Sequence, residues 1–393
     1  MKVILGVDPL LSPLTGIGHY TRSLALALLQ QPSLEELQLF ALGKFFPHAL
    51  LHLPENIEQQ GGVAKASTVS ALRTYLATLT PAVWAYEKLI PIVDRIRLAP
   101  FKDYLFHAPN FFVPVFDGPK VVTFHDLSTI LYPQYHPAVR VALANRQMAI
   151  AVESDAHIIC DSQFIAAEVV QYFGVPESRV SKLHLAAAEE YQPRDASQCA
   201  QVLEQFDVGY KQFFLFVSTI EPRKNLMRLL DAYECYVQRT VKPLPLVVVG
   251  GHGWSSQKEH QRLTDLQLRG LVRYQGYLAQ NIVHQLYSAA RALVYPSIYE
   301  GFGLPVLEAM QSGAAVITSE NSSMQEIAED AAYYVNPNDT DSISSALVLL
   351  HEDENKLSIL REQGLKRAMA FSWQQCAAKT LAVYQHVVDK HKA

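Results

Sequence analysis

Residues 299–310 read Tyr299-Glu300-Gly301-Phe302-Gly303-Leu304-Pro305-Val306-Leu307-Glu308-Ala309-Met310, two glutamates eight positions apart with two glycines and a proline between them. The run just before, Ala292-Leu293-Val294-Tyr295-Pro296-Ser297, reads as a buried strand. Pro305 suits the first position of a helix and Gly313 its end. The glycines then fill a strand-to-helix loop. Gly301 and Gly303 let the backbone approach a ligand closely, and the amides at the helix start favour an anion or a hydroxyl oxygen. Val306, Leu307, Ala309 and Met310 share one face at about 100° per residue, which turns Glu308 away from the core and leaves Glu300 in the loop. A strand, a ligand-seating loop and a helix form the repeating unit of a doubly wound α/β sheet, whose ligands lie at the carboxyl ends of its strands. The bland alternative makes Glu308 a helix-dipole partner and Glu300 a solvated loop residue.

The same rhythm runs outward in both directions. Short apolar runs at Val3–Val7, Leu37–Leu42, Val121–Thr123 and His157–Cys160 alternate with helical stretches, and so do Phe213–Val217, Leu246–Val249, Leu293–Tyr295, Ala315–Thr318 and Tyr333–Val335. At 393 residues and 49% hydrophobic content, two such domains fit the chain. The polar, proline-containing Tyr191-Gln192-Pro193-Arg194-Asp195 reads as the linker between residues 1–195 and 196–372. The helical run of 373–393 follows the last strand and is expected to cross back onto the first domain.

A net charge of -5 gives no global attraction to nucleic acid. The four scattered cysteines have neither disulfide nor zinc spacing. The start, Met1 to Asp8, is too short an apolar run for a signal peptide, so a cytoplasmic address is expected. One stretch breaks the pattern. Residues 67–102 set Leu72, Leu76, Trp84, Ile90 and Ile96 beside Arg73, Lys88, Arg95, Arg97 and Lys102. They read either as an amphipathic pair lying on an anionic membrane surface or as helices covering the sheet with solvated charges.

Three more strand ends carry chemistry. After Phe213–Val217 comes Ser218-Thr219-Ile220-Glu221-Pro222-Arg223-Lys224-Asn225. With Pro222 starting a helix, Arg223 and Lys224 fall in its first turn, where cations oppose the helix dipole. So unfavourable a placement points to a task, and Arg as a fork beside Lys as a point charge suits a diphosphate. After Val121–Thr123, His125 could serve as acid, base or hydroxyl ligand. After the first strand, Thr15-Gly16-Ile17-Gly18 precedes a helix expected at Arg22–Gln30, and Gly16 and Gly18 could meet phosphate or sugar. The Gly-x-Gly-x-x-Gly fingerprint of dinucleotide binding is incomplete, because residue 21 is threonine. Asp339-Thr340-Asp341 has the form of a metal-binding Asp-x-Asp but reads better as a helix cap, and no metal site is expected.

Taken together, Glu221-Pro222-Arg223-Lys224-Asn225, Tyr295-Pro296-Ser297 with Tyr299 to Met310, and Thr15 to Gly18 resemble the retaining nucleotide-sugar glycosyltransferases of family 4. Their fold is GT-B, two Rossmann-like doubly wound domains facing a cleft. The resemblance implies that Glu300 holds donor-sugar hydroxyls and Glu308 the nucleotide ribose, and that Arg223 and Lys224 neutralise the diphosphate. It also implies that the amides of Phe302, Gly303 and Leu304 contact sugar or phosphate oxygens. His125 would stand near the reacting sugar, and Gly16 and Gly18 would line the opposite side of the cleft. Ser218 departs from the glycine common in such relatives.

The motif variants look like bacterial mannosyl- and rhamnosyltransferases of O-antigen synthesis. They imply a GDP-linked hexose donor, no metal cofactor, and a growing glycan on a polyprenyl diphosphate as acceptor, at the inner face of the membrane. With no obvious nucleophile, a same-face displacement is expected, Glu300 as nucleophile being the lesser alternative. A UDP-sugar transferase of the same fold and a sugar-nucleotide epimerase are the competing functions.

Overall fold

The computed structural model describes residues 1–11, 14, 16–52, 80–251, 253–254 and 256–392, with the side chains of 80–88 excluded. Thr15, residues 67–79 of the amphipathic stretch and His252 therefore lie outside the described residues. The first sheet comprises β1 (Lys2–Gly6), β2 (Glu36–Ala41), β3 (Lys44–Phe46), β4 (Leu105–Ala108), β5 (Lys120–Phe124), β6 (His157–Cys160) and β7 (Val180–Lys182) in the order β3-β2-β1-β4-β5-β6-β7. The second comprises β8 (Phe214–Val217), β9 (Leu246–Val249), β10 (Val272–Gln275), β11 (Ala292–Tyr295), β12 (Ala315–Ser319) and β13 (Tyr333–Val335) in the order β10-β9-β8-β11-β12-β13. All pairings are parallel except β2 with β3. Strands such as Leu246–Val249 and Ala292–Tyr295 are buried at every residue, as parallel strands covered by helices on both faces must be.

Each sheet reverses its strand order once, at β1/β4 and at β8/β11. The loops leaving β8 and β11 must therefore diverge to opposite faces and open a crevice between them. Those loops carry Arg223-Lys224 and Glu300.

Four strands are absent from the sequence reading. β3 turns back through Leu42 (φ 51°) and Gly43 (φ 73°), a tight hairpin whose leucine gives no turn signal. β7 and β10 each carry polar or charged residues at the sheet edge. β4 is Leu-Phe-His-Ala, with the polar His107 wholly buried. The first long helix spans Gly16–Leu29 rather than beginning at Arg22, so both glycines lie in its first turn.

Helix Trp373–Lys392 packs along helix Gly16–Leu29 of the first domain. Tyr384 reaches from it into the sheet, its hydroxyl 2.5 Å from His107 Nδ1, while His107 Nε2 lies 2.8 Å from Thr123 Oγ1. Burial pushes His107 down to about 3, so the ring is neutral and has one N–H to give. Asp339 caps helix Thr340–Glu352, accepting from the Asp341 amide at 2.9 Å. Among the described residues no helix is long and apolar enough to cross a membrane.

Candidate active site

Pro222–Lys224 forms a single 3-10 turn, Asn225 follows in the left-handed region (φ 62°), and the helix proper starts at Leu226. This corrects the sequence reading: Arg223 and Lys224 precede the helix and do not oppose its dipole. Asn225 pins the turn by donating to the Pro296 and Pro337 carbonyls at 3.0 and 2.7 Å. Both cations then point across the crevice to Glu300. Arg223 Nη1 lies 3.1 Å from Oε2, and Lys224 Nζ lies 2.6 Å from Oε1. Arg223 also donates to Glu221 at 3.0 Å and to the Tyr299 carbonyl at 2.6 Å.

Glu300 is 7% exposed and receives two further hydrogen bonds, from the Tyr295 hydroxyl at 2.9 Å and Ser297 Oγ at 2.7 Å. Burial alone would raise its pKa, but Arg223 and Lys224 outweigh it and hold the carboxyl down to about 2. A carboxylate this stabilised, with four donors on two oxygens, is a weak nucleophile. The geometry therefore favours Glu300 as a hydrogen-bonding grip over the covalent role.

His125 extends from the end of β5. Its Nδ1 is 2.6 Å from Asp161 Oδ2 and its Nε2 is 2.8 Å from the Pro109 carbonyl. Asp161 Oδ2 and the Pro109 carbonyl oxygen both face the ring, an arrangement that favours the charged imidazole, while burial also pushes the Asp161 carboxyl above its usual range. Burial opposes that charge; Asp161 and the carbonyl overcome it and raise the pKa. With both nitrogens engaged, His125 has no free nitrogen in this arrangement to act as a base, which narrows the three roles the sequence left open.

Gly301 packs against the first domain: a Cβ there would fall 1.7 Å from the His125 carbonyl oxygen, and its own carbonyl accepts from Ser162 Oγ at 2.7 Å. Its small size is used by the neighbouring domain. Gly303, at φ 97°, caps helix Leu304–Gln311, with Met324 Sδ where a Cβ would stand. Among the described residues nothing accepts from the amides of Phe302, Gly303 or Leu304, so this helix start is free for an oxygen. Gly18 is buried, with Leu14 and the Pro9 carbonyl against it, whereas Gly16 is exposed with nothing within 4 Å of a Cβ.

Glu308 is half-buried rather than turned to solvent. Burial pushes it up to about 7, partly offset by the Tyr287 and Tyr191 phenols beside it.

The sequence reading missed Glu221, Asp126, Asp161, Tyr295, Ser297 and Tyr299. Signals existed: each lies beside or within a motif already singled out, except Asp161, which directly follows β6. Asp126, half-buried, is held below its usual value by the Arg223 guanidinium and the Ser128 hydrogen bonds against the pull of desolvation.

Two doubly wound domains that meet at strand ends carrying an Arg-Lys pair, a hydrogen-bonding glutamate and an open helix N-terminus define the GT-B class of nucleotide-sugar transferases. Residues 204–367 match the family described as glycosyl transferases group 1. The chain is 35% identical to O-antigen chain mannosyltransferase B of Escherichia coli, over 98% of its own length and 100% of that protein's. It is 27% identical to O-antigen chain mannosyltransferase RfbU of Salmonella typhimurium, over 58% of the chain and 60% of the relative. Among solved structures, Anabaena Alr3699/HepE in complex with UDP and glucose superposes with a TM-score of 0.69 at 18% identity, covering 98% of this chain and 100% of that one. The lipopolysaccharide-biosynthesis glycosyltransferase WaaG superposes at 0.66 with 13% identity, covering 98% and 99%. The chain belongs to the group 1 glycosyltransferases and is an enzyme of sugar transfer.

Proposed function

We propose that this glycosyltransferase moves a mannosyl residue, or a deoxymannose such as rhamnose, from a GDP-sugar to a growing O-antigen glycan carried on a polyprenyl diphosphate. The observation that carries the chemistry is the convergence of Arg223 and Lys224 with Glu300 at the β8/β11 crevice. The mannosyl assignment is supported by the full-length similarity to a mannosyltransferase of O-antigen chains.

In this reading the two cations hold the diphosphate and stabilise the charge that develops on it as the glycosyl bond breaks, a task a metal ion performs in other folds. Glu300 grips donor hydroxyls and Glu308 the ribose. The amides of Phe302, Gly303 and Leu304 take sugar or phosphate oxygens. The acceptor hydroxyl attacks from the face the nucleotide leaves, and a phosphate oxygen takes its proton, giving retention. Leu89, Ile92 and Ile96 are exposed beside Arg95, Arg97 and Lys102, which suits a surface resting on anionic lipid at the cytoplasmic face.

A thermal-shift panel tests the donor, since a ligand that binds only the folded state raises stability by mass action. GDP and GDP-mannose should raise the melting temperature selectively, and turnover should persist after exhaustive chelation. A shift with UDP and none with GDP would sink the donor assignment, and loss of activity restored by a divalent ion would sink the metal-free mechanism. Anionic vesicles should co-sediment the wild type but not a variant with Arg95, Arg97 and Lys102 replaced by glutamine; equal binding would remove the membrane role.

A further inference from the structure

Tyr299 belongs by chain position to the second domain, in the loop between β11 and helix Leu304–Gln311, yet it is 1% exposed and sits in the apolar cluster of the first domain with Phe124, Leu127 and Ile165. Its ring lies 5.0 Å from that of Tyr132 and 6.1 Å from that of Phe164, both first-domain residues. The hydroxyl is saturated from the same side. It donates to Glu168 Oε2 at 2.5 Å and accepts from the Leu127 amide, two residues beyond His125, at 3.1 Å. The backbone of the same residue serves the other domain: its carbonyl accepts from Arg223 Nη1 at 2.6 Å, and the next residue is Glu300. One residue therefore has its side chain fastened in one domain and its main chain fastened to the cation pair of the other.

A second feature agrees. Gly301 approaches the His125 carbonyl so closely that no side chain fits between, so the loop from 299 to 301 touches the first domain at a second residue. If the domains part, the loop loses the buried aromatic and these two hydrogen bonds, and keeps what its own domain gives its backbone: Ser297 Oγ on the Tyr299 carbonyl, Ser322 Oγ on the Glu300 amide and Ser323 Oγ on the Glu300 carbonyl.

We propose that Tyr299 is a positioning residue that makes the geometry of Glu300 and Arg223 depend on the seating of the first domain. With the phenol docked under Leu127 and Glu168, the Tyr299 carbonyl holds Arg223 against Glu300 in the arrangement needed for transfer. With it withdrawn, the Tyr299 carbonyl is held against Arg223 only through the loop's bonds to Ser297, Ser322 and Ser323, and the arrangement loosens. The Arg223–Glu300 contact lies within the second domain, so seating Tyr299 in the first domain tightens the pair when the cleft is closed. This rests on the roles given to Arg223 and Glu300 above.

The test is Tyr299→Phe, which keeps the ring and removes the hydroxyl, read by kinetics and by amide hydrogen exchange. The expected result is a kcat lower by about tenfold with GDP affinity within about twofold of wild type, the pattern of an interaction that matters in the transition state more than in the ground state. Exchange should quicken in the peptides containing Leu127 and residues 298–303, which report local opening. Glu168→Gln, which leaves an oxygen to accept from the phenol, should lie closer to wild type than Glu168→Ala, and Tyr299→Phe combined with Glu168→Ala should be less than additive. Wild-type kcat in Tyr299→Phe overturns the proposal, and so does unchanged exchange at 298–303. Because exchange needs no donor, it decides the seating of Tyr299 even if the wild-type enzyme uses a different nucleotide, an outcome that would defeat the donor assignment alone.

Discussion

Glu300 accepts from Arg223, Lys224, Tyr295 and Ser297, so its charge is held before any substrate arrives. Arg223→Ala or Lys224→Ala is expected to slow turnover by about 100-fold, the range for losing one strong electrostatic donor aimed at developing charge; steady-state kcat measures it, and near-normal turnover in both variants would end the role. The depressed carboxyl has a second consequence. Its folded pKa, about 2, lies below the unfolded value, so the pair contributes stability above the ordinary glutamate range and loses it as the pH falls through about 2. The melting-temperature advantage of the wild type over Glu300→Gln should therefore be full at neutral pH and shrink on acidification; a gap that widens with acid would contradict the ion pairing.

Between elements, the contacts that matter are loop against loop and helix against cap. Gly301 faces the His125 carbonyl with no room for a methyl group. Gly301→Ala must push the two strand-end loops apart by an ångström or more, and a displacement of that size near reacting groups costs about 100-fold in rate. Each domain's own core is untouched, so kcat should fall far more than the melting temperature; the reverse pattern would place the glycine in folding rather than in the site. On the far side of the loop, Glu326 of helix Met324–Ala328 accepts from the Gln163 and Phe164 amides at the start of helix Gln163–Phe173 and contacts His184 at 2.6 Å. It is a side-chain cap supplied by the other domain, holding the helix that carries Glu168.

At the scale of the molecule, helix Trp373–Lys392 joins the two halves by ending on the domain where the chain began. The phenol of Tyr384 and the hydroxyl of Thr123 hold the two nitrogens of His107, and the Tyr20 hydroxyl lies 3.0 Å from the same threonine oxygen. Tyr20 in turn meets the His125 ring edge-on at 4.8 Å. A buried polar chain thus runs from the returning helix to the site. Tyr384→Phe leaves one His107 nitrogen without a partner in a water-free interior, at a cost of about 1–3 kcal/mol; urea unfolding measures it, and an unchanged midpoint would show that the hydroxyl is dispensable.

The alternation of buried apolar runs with helical stretches was legible because a parallel strand covered on both faces has to be apolar throughout. The strand-end motifs were legible because turns that expose amides or close on a neighbour require glycine and proline. Arg223, Lys224 and Glu300 could be named from such motifs, since paired charges at strand ends have few structural uses. What the chain order could not reveal was who pairs with whom. That Arg223 and Glu300, 77 positions apart, meet follows from the strand order around β8 and β11. That both nitrogens of His125 are engaged follows from Asp161 and the Pro109 carbonyl converging on its ring. Glu308 reads as a solvated residue by helical periodicity alone, and only the phenols of Tyr191 and Tyr287, brought from the linker and another helix, make its surroundings partly buried. The local pattern determined the elements and the chemical inventory of the site; protonation states, partners and the dependence of Glu300 on the opposite domain were decided by tertiary contacts, because electric fields and close packing act through space and not along the chain.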